Sequence, residues 1–496
     1  MPDCEEPLPD PGAEPLAPLR VPRLFWPVAL SLAGLMAAVL LVEPLEGMFT
    51  RGATNYNEGW NSYHQQEAEQ GKPLYGARPG WVSTNYPPIS FHLVGLASRL
   101  TGDVNQTGRW VALLSLALVA MLCGAIVRCL TGSTPLAAYT AFSVVIWLAV
   151  YKADRIGSND PQLLGTAFSL VGLYAHFRDR ERPLWLYASA IAFTVSVFTK
   201  HNLLAFPAAV GLHLILCGRW RDLRTWIGAI AGGSALLLLL TRWIDGPYFF
   251  AHILAPRAHS PGWWMISDYL MLFQVPIALA VFWSLRHRGR SSDAMVLALI
   301  AAHALALAFA GGDGVDKNIF FDCILALAVV GALAFAEYAP LLSMAYRGFP
   351  LAALLVAPIF GAVIKMPETL RWDLGMWRAL PNRETDFDYA VGLVQNRPGP
   401  ALCEDLLVCF EAGKPFLYDA YFANAMVKAG RLKEEELVAL VEKASFRTVE
   451  LDFPLEQERL MEPHDRRFTA GFLDALREHY HQEIRLYGWV ILVPNE

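Results

Sequence analysis

Between residues 23 and 365 apolar runs of 16–21 residues alternate with short charged clusters; beyond that the chain breaks into shorter alternations. A helix crossing the hydrocarbon core needs roughly 20 mostly apolar residues. The runs predict eleven spans, at 23–43, 109–128, 136–151, 161–177, 184–199, 201–217, 226–243, 268–285, 294–310, 318–336 and 348–365. The stretch 86–100 is shorter and carries His92 and Arg99, so it predicts a juxtamembrane helix rather than a span. From about residue 380 the pattern predicts a small α/β domain. Its strands are expected at 401–403, 416–418, 448–451 and 489–493, and its helices at 420–429, 433–444 and 469–479. The fold class is thus an α-helical polytopic membrane protein with a C-terminal α/β domain over 380–496. Residues 1–22 are Pro- and acid-rich and predict a disordered tail.

Charge gives the spans a direction. Arginines concentrate in three tight loops, Arg178/Arg180/Arg182, Arg219/Arg221/Arg224 and Arg286/Arg288/Arg290, with Arg20, Arg23, Arg128 and Arg347 at further span ends. Span parity puts all of them on one side, and the positive-inside rule makes that side cytoplasmic. The N-terminus is then inside. Loop 44–108, segments 152–160 and 244–267, loop 311–317 and the C-terminal domain fall outside.

Composition agrees with this reading. The 496 residues are 55% hydrophobic and 17% charged, where a soluble chain carries about 25% charged residues. A net charge of −6 excludes a nucleic-acid binder that works by neutralising phosphates. Cys403 and Cys409 lie in the expected outer domain, where a disulfide is one option. No Cys/His spacing suggests a metal site.

The polar residues able to do chemistry gather on the outer side. The first loop holds Glu58 in a helix-compatible stretch with Asn61, Tyr63 and Gln65, followed by Tyr86-Pro87-Pro88. The second offers Asp154, Arg155 and Asp160-Pro161, where Asp160 suits either a helix N-cap or a functional carboxylate. The tight turn Lys200-His201-Asn202 places a lysine that can reach lipid headgroups or hold a phosphate as a point charge. Asp313, Asp316 and Lys317 sit at the mouth of a later span, and His252, Arg257 and His259 lie on an expected interfacial flap.

These motifs form a series: Asn57-Glu58-Gly59, Gly71-Lys72-Pro73-Leu74-Tyr75, Tyr86-Pro87-Pro88, Ser158-Asn159-Asp160-Pro161, and Thr199-Lys200-His201-Asn202 running to Pro207. The series resembles the GT-C membrane glycosyltransferases, in the bacterial branch related to protein mannosyltransferases and the lipid A aminoarabinose transferase. It departs from many members in placing Asn57 before Glu58. The resemblance implies a polyprenyl-phosphate sugar as donor and inverting transfer to a hydroxyl of a lipid, glycan or protein acceptor, at the outer face of a bacterial inner membrane. It implies Glu58 and Asp160 as catalytic carboxylates, Lys200, Arg155 and Lys317 as phosphate ligands, and Tyr63, Tyr86, His201 and His259 as acceptor or sugar contacts. No cofactor is fixed, and a divalent cation beside Asp160 stays an open option. Two other readings use the same spans: a transporter or flippase of lipid-linked sugars, and a non-catalytic membrane scaffold.

Overall fold

A computed structural model describes residues 23–178, 182–255, 258–286, 293–342, 349–457 and 467–495. The N-terminal tail and the expectations on Arg20, Arg180, Arg257, Arg288, Arg290 and Arg347 lie outside the described residues.

Each of the eleven apolar segments falls on a helix. The first is α1 (Phe25–Leu40), continued by the short α2 (Val42–Phe49). Two helices then build the first loop, α3 (Asn57–Glu69) and α4 (Ile89–Thr101), and α4 falls on the stretch 86–100. The bundle resumes with α5 (Val104–Thr131), α6 (Thr134–Lys152), α7 (Gln162–Phe177), α8 (Pro183–Thr199), α9 (Ala205–Leu216) and α10 (Trp220–Ile244). It is completed by the short α11 (Phe249–Ile253), then α12 (Trp263–Arg286), α13 (Asp293–Phe309), α14 (Phe321–Leu342) and α15 (Phe349–Asn396). Among the described residues six helices are long and apolar enough to cross a membrane, and α8, α9 and α13 are shorter apolar helices. The eleven segments are therefore helices, while length and composition alone single out six crossings.

Local signals set the boundaries that matter for the site. Gly102 and Gly132 end α4 and α5 in the left-handed conformation, which glycine adopts without a Cβ clash. The side chains of Asp103 and Ser133 then accept hydrogen bonds from backbone N–H groups in the first turns of α5 and α6. The interior of the bundle is one apolar core, to which α14 contributes most densely.

The helix α15 does not stop at the expected span end. It runs 48 residues, with Pro358, Pro367 and Pro381 inside it, into the C-terminal domain. That domain adds α16 (Leu406–Glu411), α17 (Ala420–Lys428), α18 (Glu434–Glu442) and α19 (Ala470–His479) around strands β1 (Ala401–Cys403), β2 (Thr448–Leu451), β3 (Tyr480–Arg485) and β4 (Val490–Pro494). The sheet order is β1-β2-β4-β3, with β1 parallel to β2 and the other pairs antiparallel. Residues 416–418, expected as a strand, are irregular, because Phe416 leaves the sheet to stack on Tyr63. The strand β3 and the helix α16 were not expected from the sequence.

A second apolar cluster joins the domain to the first loop. Trp60, Tyr63 and Phe91 pack with Leu406, Leu407, Phe387 and Trp489. Gly59 permits this seat: a Cβ there would lie 2.2 Å from the Leu407 backbone nitrogen. The Cys403–Cys409 disulfide closes the turn that leads into α16. The first loop and the C-terminal domain thus share one core.

Candidate active site

Glu58, in the first turn of α3, is fully buried. Its Oε1 accepts from Arg109 Nε and the Asn159 backbone N–H, both at 2.8 Å. Its Oε2 accepts from Arg109 Nη2 at 2.7 Å and the Thr54 N–H at 2.8 Å. Arg109 uses its remaining donors on the carbonyls of Met48, Thr50 and Gly52, so all five of its N–H groups are engaged. Burial works against the charge of Glu58, but Arg109 and the two backbone donors outweigh it and hold the carboxyl below its usual range. This pair is a latch. It folds the 48–58 segment around one guanidinium and ties it to Asn159.

The latch continues as a polar seam between α3 and the 158–160 turn. Asn159 exchanges hydrogen bonds with Gln65 and accepts from Asn61 through its carbonyl. Its side chain also reaches Ser62 and Asn105, which buries the Asn105 sequon in α5. Gly108 is needed here, because a Cβ would come within 1.9 Å of Asn159 Oδ1.

Beside the seam lies a lattice of alternating charges, assembled where α6–α7, α8–α9 and α13–α14 turn over. Asp160 Oδ1 accepts from Lys200 Nζ at 3.2 Å and from the Gln162 N–H at 2.8 Å, so it caps α7 as well as pairing with the lysine. Its Oδ2 accepts from Arg155 Nη1 at 2.9 Å and Asn57 Nδ2 at 3.4 Å. Arg155 turns its Nε and Nη2 to Asp316 Oδ2, and Lys152 Nζ lies 3.7 Å from that same oxygen. Lys152 also pairs at 3.0 Å with Asp154, whose Oδ2 accepts from Asn55 Nδ2 at 2.9 Å. Lys200 Nζ sits 5.0 Å over the Tyr86 ring, a cation–π contact. Burial raises the Asp160 carboxyl, yet Lys200 and Arg155 overcome it and keep it low. For Asp316, Arg155 and Lys152 overcome burial and bring it down to about 2.

Exposure separates the carboxylates. The side chains of Glu58 and Asp160 are 0% and 2% exposed, whereas that of Asp154 is 34% exposed. Asp154 also borders a cavity of about 510 Å³ between the first loop, α2, α15 and the C-terminal domain.

The structure thus gathers Asp160, Arg155, Lys200 and Tyr86 as expected and redirects the other residues. Tyr63 is buried and donates its hydroxyl to the Lys414 carbonyl at 2.7 Å, so it anchors the C-terminal domain. Lys317 pairs with Asp268 and lies over Trp264, outside the lattice that its neighbour Asp316 joins. His259 is bound to the Ala308 carbonyl and bridged to Gly312. His201 follows Lys200 in its turn and is half-buried. A divalent ion beside Asp160 does not fit, since all the approaches to its oxygens are taken by N–H donors. Among the described residues no group of three or more His, Cys, Asp or Glu is arranged for a metal. The sequence reading missed Arg109 and Lys152 as participants, and it noted Asp316 at a span mouth without giving it a role. Arg109 had a signal: an arginine at the expected outer end of a span runs against the positive-inside bias.

A family model described as dolichyl-phosphate-mannose-protein mannosyltransferase matches residues 85–244, which include Tyr86, Asp160 and Lys200. No curated protein matches the chain. Among solved structures, ArnT from Cupriavidus metallidurans bound to undecaprenyl phosphate is similar at TM-score 0.61 and 13% identity, covering 95% of this chain and 98% of that one. The apo oligosaccharyltransferase of Archaeoglobus fulgidus is similar at TM-score 0.51 and 12% identity, covering 88% and 70%. At such identities the likeness is one of fold. The chain thus shares its fold with ArnT and, over residues 85–244, resembles the protein mannosyltransferase family model.

Proposed function

We propose that the protein transfers a sugar, with inversion, from a polyprenyl-phosphate donor to a hydroxyl on the outer face of the membrane. The observation that carries this reading is the charged lattice itself: three cations, Arg155, Lys200 and Lys152, are held by Asp160, Asp316 and Asp154, and the last of these is a third exposed and lines the cavity. The fold shared with a protein that binds undecaprenyl phosphate supports the donor class. The tail would lie between the apolar helices and the phosphate would meet the cations at the polar end. In this orientation the N-terminus is cytoplasmic and the C-terminal domain is outside, in the periplasm of a bacterial inner membrane.

The chemistry follows from the donor. The acceptor oxygen attacks the anomeric carbon, the bond from that carbon to the phosphate oxygen breaks, and the electron pair leaves with the phosphate. That leaving group is a stable anion, so cations rather than a general acid are what it needs. The hydroxyl proton needs a carboxylate with an open lone pair. Glu58 accepts four hydrogen bonds and has none to spare. Asp154 takes the proton in this proposal, Arg155, Lys200 and Lys152 hold the phosphate, Asp160 orients Arg155 and Lys200, and Glu58 positions the loop.

The test uses purified protein in nanodiscs with lipid-linked sugars extracted from bacterial membranes and with membrane acceptors. Mass spectrometry should show loss of the lipid-linked sugar and release of undecaprenyl phosphate. Lipid moved but chemically unaltered would favour a flippase and overturn the proposal.

A further inference from the structure

The segments that carry the charged lattice continue into the wall of a second, much smaller cavity, of about 10 Å³. Gln162 comes just after Asp160, Asn202 just after Lys200, and Asp322 lies in the first turn of α14, beyond Asp316 and Lys317. The rest of the wall is apolar, with Leu203, Leu305 and Ile319 among its residues. Each of the three polar side chains has a buried oxygen that meets no donor: Gln162 Oε1, Asn202 Oδ1 and Asp322 Oδ1. Gln162 and Asp322 are only 2% and 7% exposed. The Gln162 amide is oriented by its own donor, since Nε2 bonds Thr166 Oγ1 at 3.4 Å. Asp322 has no ion pair among the described residues.

A buried amide oxygen without a donor is costly, and a buried carboxylate without a partner is costlier still. The N-terminus of α14 offsets part of the Asp322 charge, yet it leaves the two amide oxygens unmet. A water brings two donors to three acceptors and no charge. A cation answers both needs, because it takes oxygen ligands and neutralises the carboxylate. One positive charge balances the one carboxylate in the wall. A divalent ion would leave a net charge among apolar side chains, and Ca²⁺ would ask for roughly 6–8 oxygens. The volume admits one occupant of about the size of a water molecule.

We infer that this cavity binds one small monovalent cation between Gln162, Asn202 and Asp322. Bound there, the ion ties α7, the 200–204 turn and α14 together next to Asp160, Lys200 and Asp316. It acts on the lattice by fixing the position of its three segments, without touching the phosphate. The cation site stands on the cavity alone, while its bearing on the lipid donor rests on the proposed transfer.

The experiment is the melting temperature of the full chain in nanodiscs, titrated with NaCl against choline chloride at constant ionic strength. Na⁺ should raise it saturably, by a few degrees at about a hundredfold excess over Kd. Asp322→Asn should abolish the response. Asn202→Leu, at a half-buried side chain, should move the Na⁺ midpoint up about tenfold, and it decides the matter if Asp322→Asn does not fold. The inference is overturned by a melting temperature that is the same in the two salts, by a sodium response that survives Asp322→Asn, or by a midpoint that Asn202→Leu leaves unmoved. Sodium binding with this pattern in a protein that releases no undecaprenyl phosphate would instead sink the proposed transfer and leave the site intact.

Discussion

Two carboxylates on either side of one hydrogen-bonded seam have opposite fates. Glu58 is sealed, with four donors on its two oxygens and an arginine that has no other carboxylate partner. Asp154 is held on one oxygen by Asn55 and Lys152 and is a third exposed at a cavity. Saturation and exposure, rather than position in the loop, separate a structural carboxylate from one free to accept a proton. The difference also shows where a buried charge is put to use. Glu58 organises backbone, since through Arg109 it collects three carbonyls that would otherwise face an apolar bundle.

The largest effect is expected from breaking the sealed pair. Glu58→Gln leaves Arg109 charged and under-paired inside the protein, a loss of about 3–5 kcal/mol. The purified variant should unfold well below the wild-type temperature, with its loss of activity following its loss of folded protein. Replacing both residues with methionine should restore only part of the stability, because the carbonyls of Met48, Thr50 and Gly52 lose their donors. A Glu58→Gln protein that melts like wild type but is inactive would return Glu58 to the chemistry.

Asp154→Asn should do the reverse. Folding should be unchanged and the lipid donor should bind no more weakly, since Lys152 loses a competing carboxylate, while kcat falls by about 10²–10⁴, the range for removing a general base. Wild-type turnover in this variant would remove Asp154 from the mechanism and with it the contrast drawn above.

A smaller effect tests the lattice. The carboxylate of Asp316 lies between Arg155 and Lys152, the cations proposed to hold the phosphate, and its side chain is 27% exposed. Asp316→Asn should therefore tighten undecaprenyl phosphate binding by about tenfold, worth about 1.4 kcal/mol, measured by native mass spectrometry. Weaker binding would mean that Asp316 orients Arg155 instead of competing with the lipid.

How much of this could be read from sequence depends on the range of the interaction involved. Apolar runs of span length report a local property, so all eleven segments emerge as helices, and the shorter stretch 86–100 emerges as the helix α4. Asp160 as a helix cap is also local, and its pairing with Lys200 was within reach because both sit at turns on one side. What stayed hidden is contact between distant segments. Nothing near Glu58 announces Arg109, 51 residues away, and nothing near Tyr63 announces Lys414. The partners of Tyr63, Lys317 and His259 were hidden for that reason: each is drawn from a distant segment. The length of α15 was hidden because its apolar run ends at residue 365, while the helix continues to Asn396 with Pro367 and Pro381 inside it.

The smallest expected effect separates the lattice from the acids of the C-terminal domain by their response to pH. Burial, reinforced by Asp452, outweighs Arg467 and pushes Glu404 up to about 8 and Asp405 up to about 6, and Glu450 is raised too. A carboxyl whose folded value is raised binds its proton more tightly in the folded state, so its contribution to stability is complete below the unfolded value and is lost as pH rises. The domain should accordingly loosen between about pH 5 and 8. Asp316 is shifted the other way, so its contribution persists until the pH falls toward about 2. Hydrogen exchange of the full chain, corrected for intrinsic rates, should show protection in β1 and β2 declining from pH 5.5 to 8 while protection around Asp316 holds steady. Protection in β1 and β2 that instead rises with pH would mean that Arg467 prevails over burial and that Glu404 is an ordinary charged partner, leaving one kind of carboxylate centre in this protein where the structure shows two.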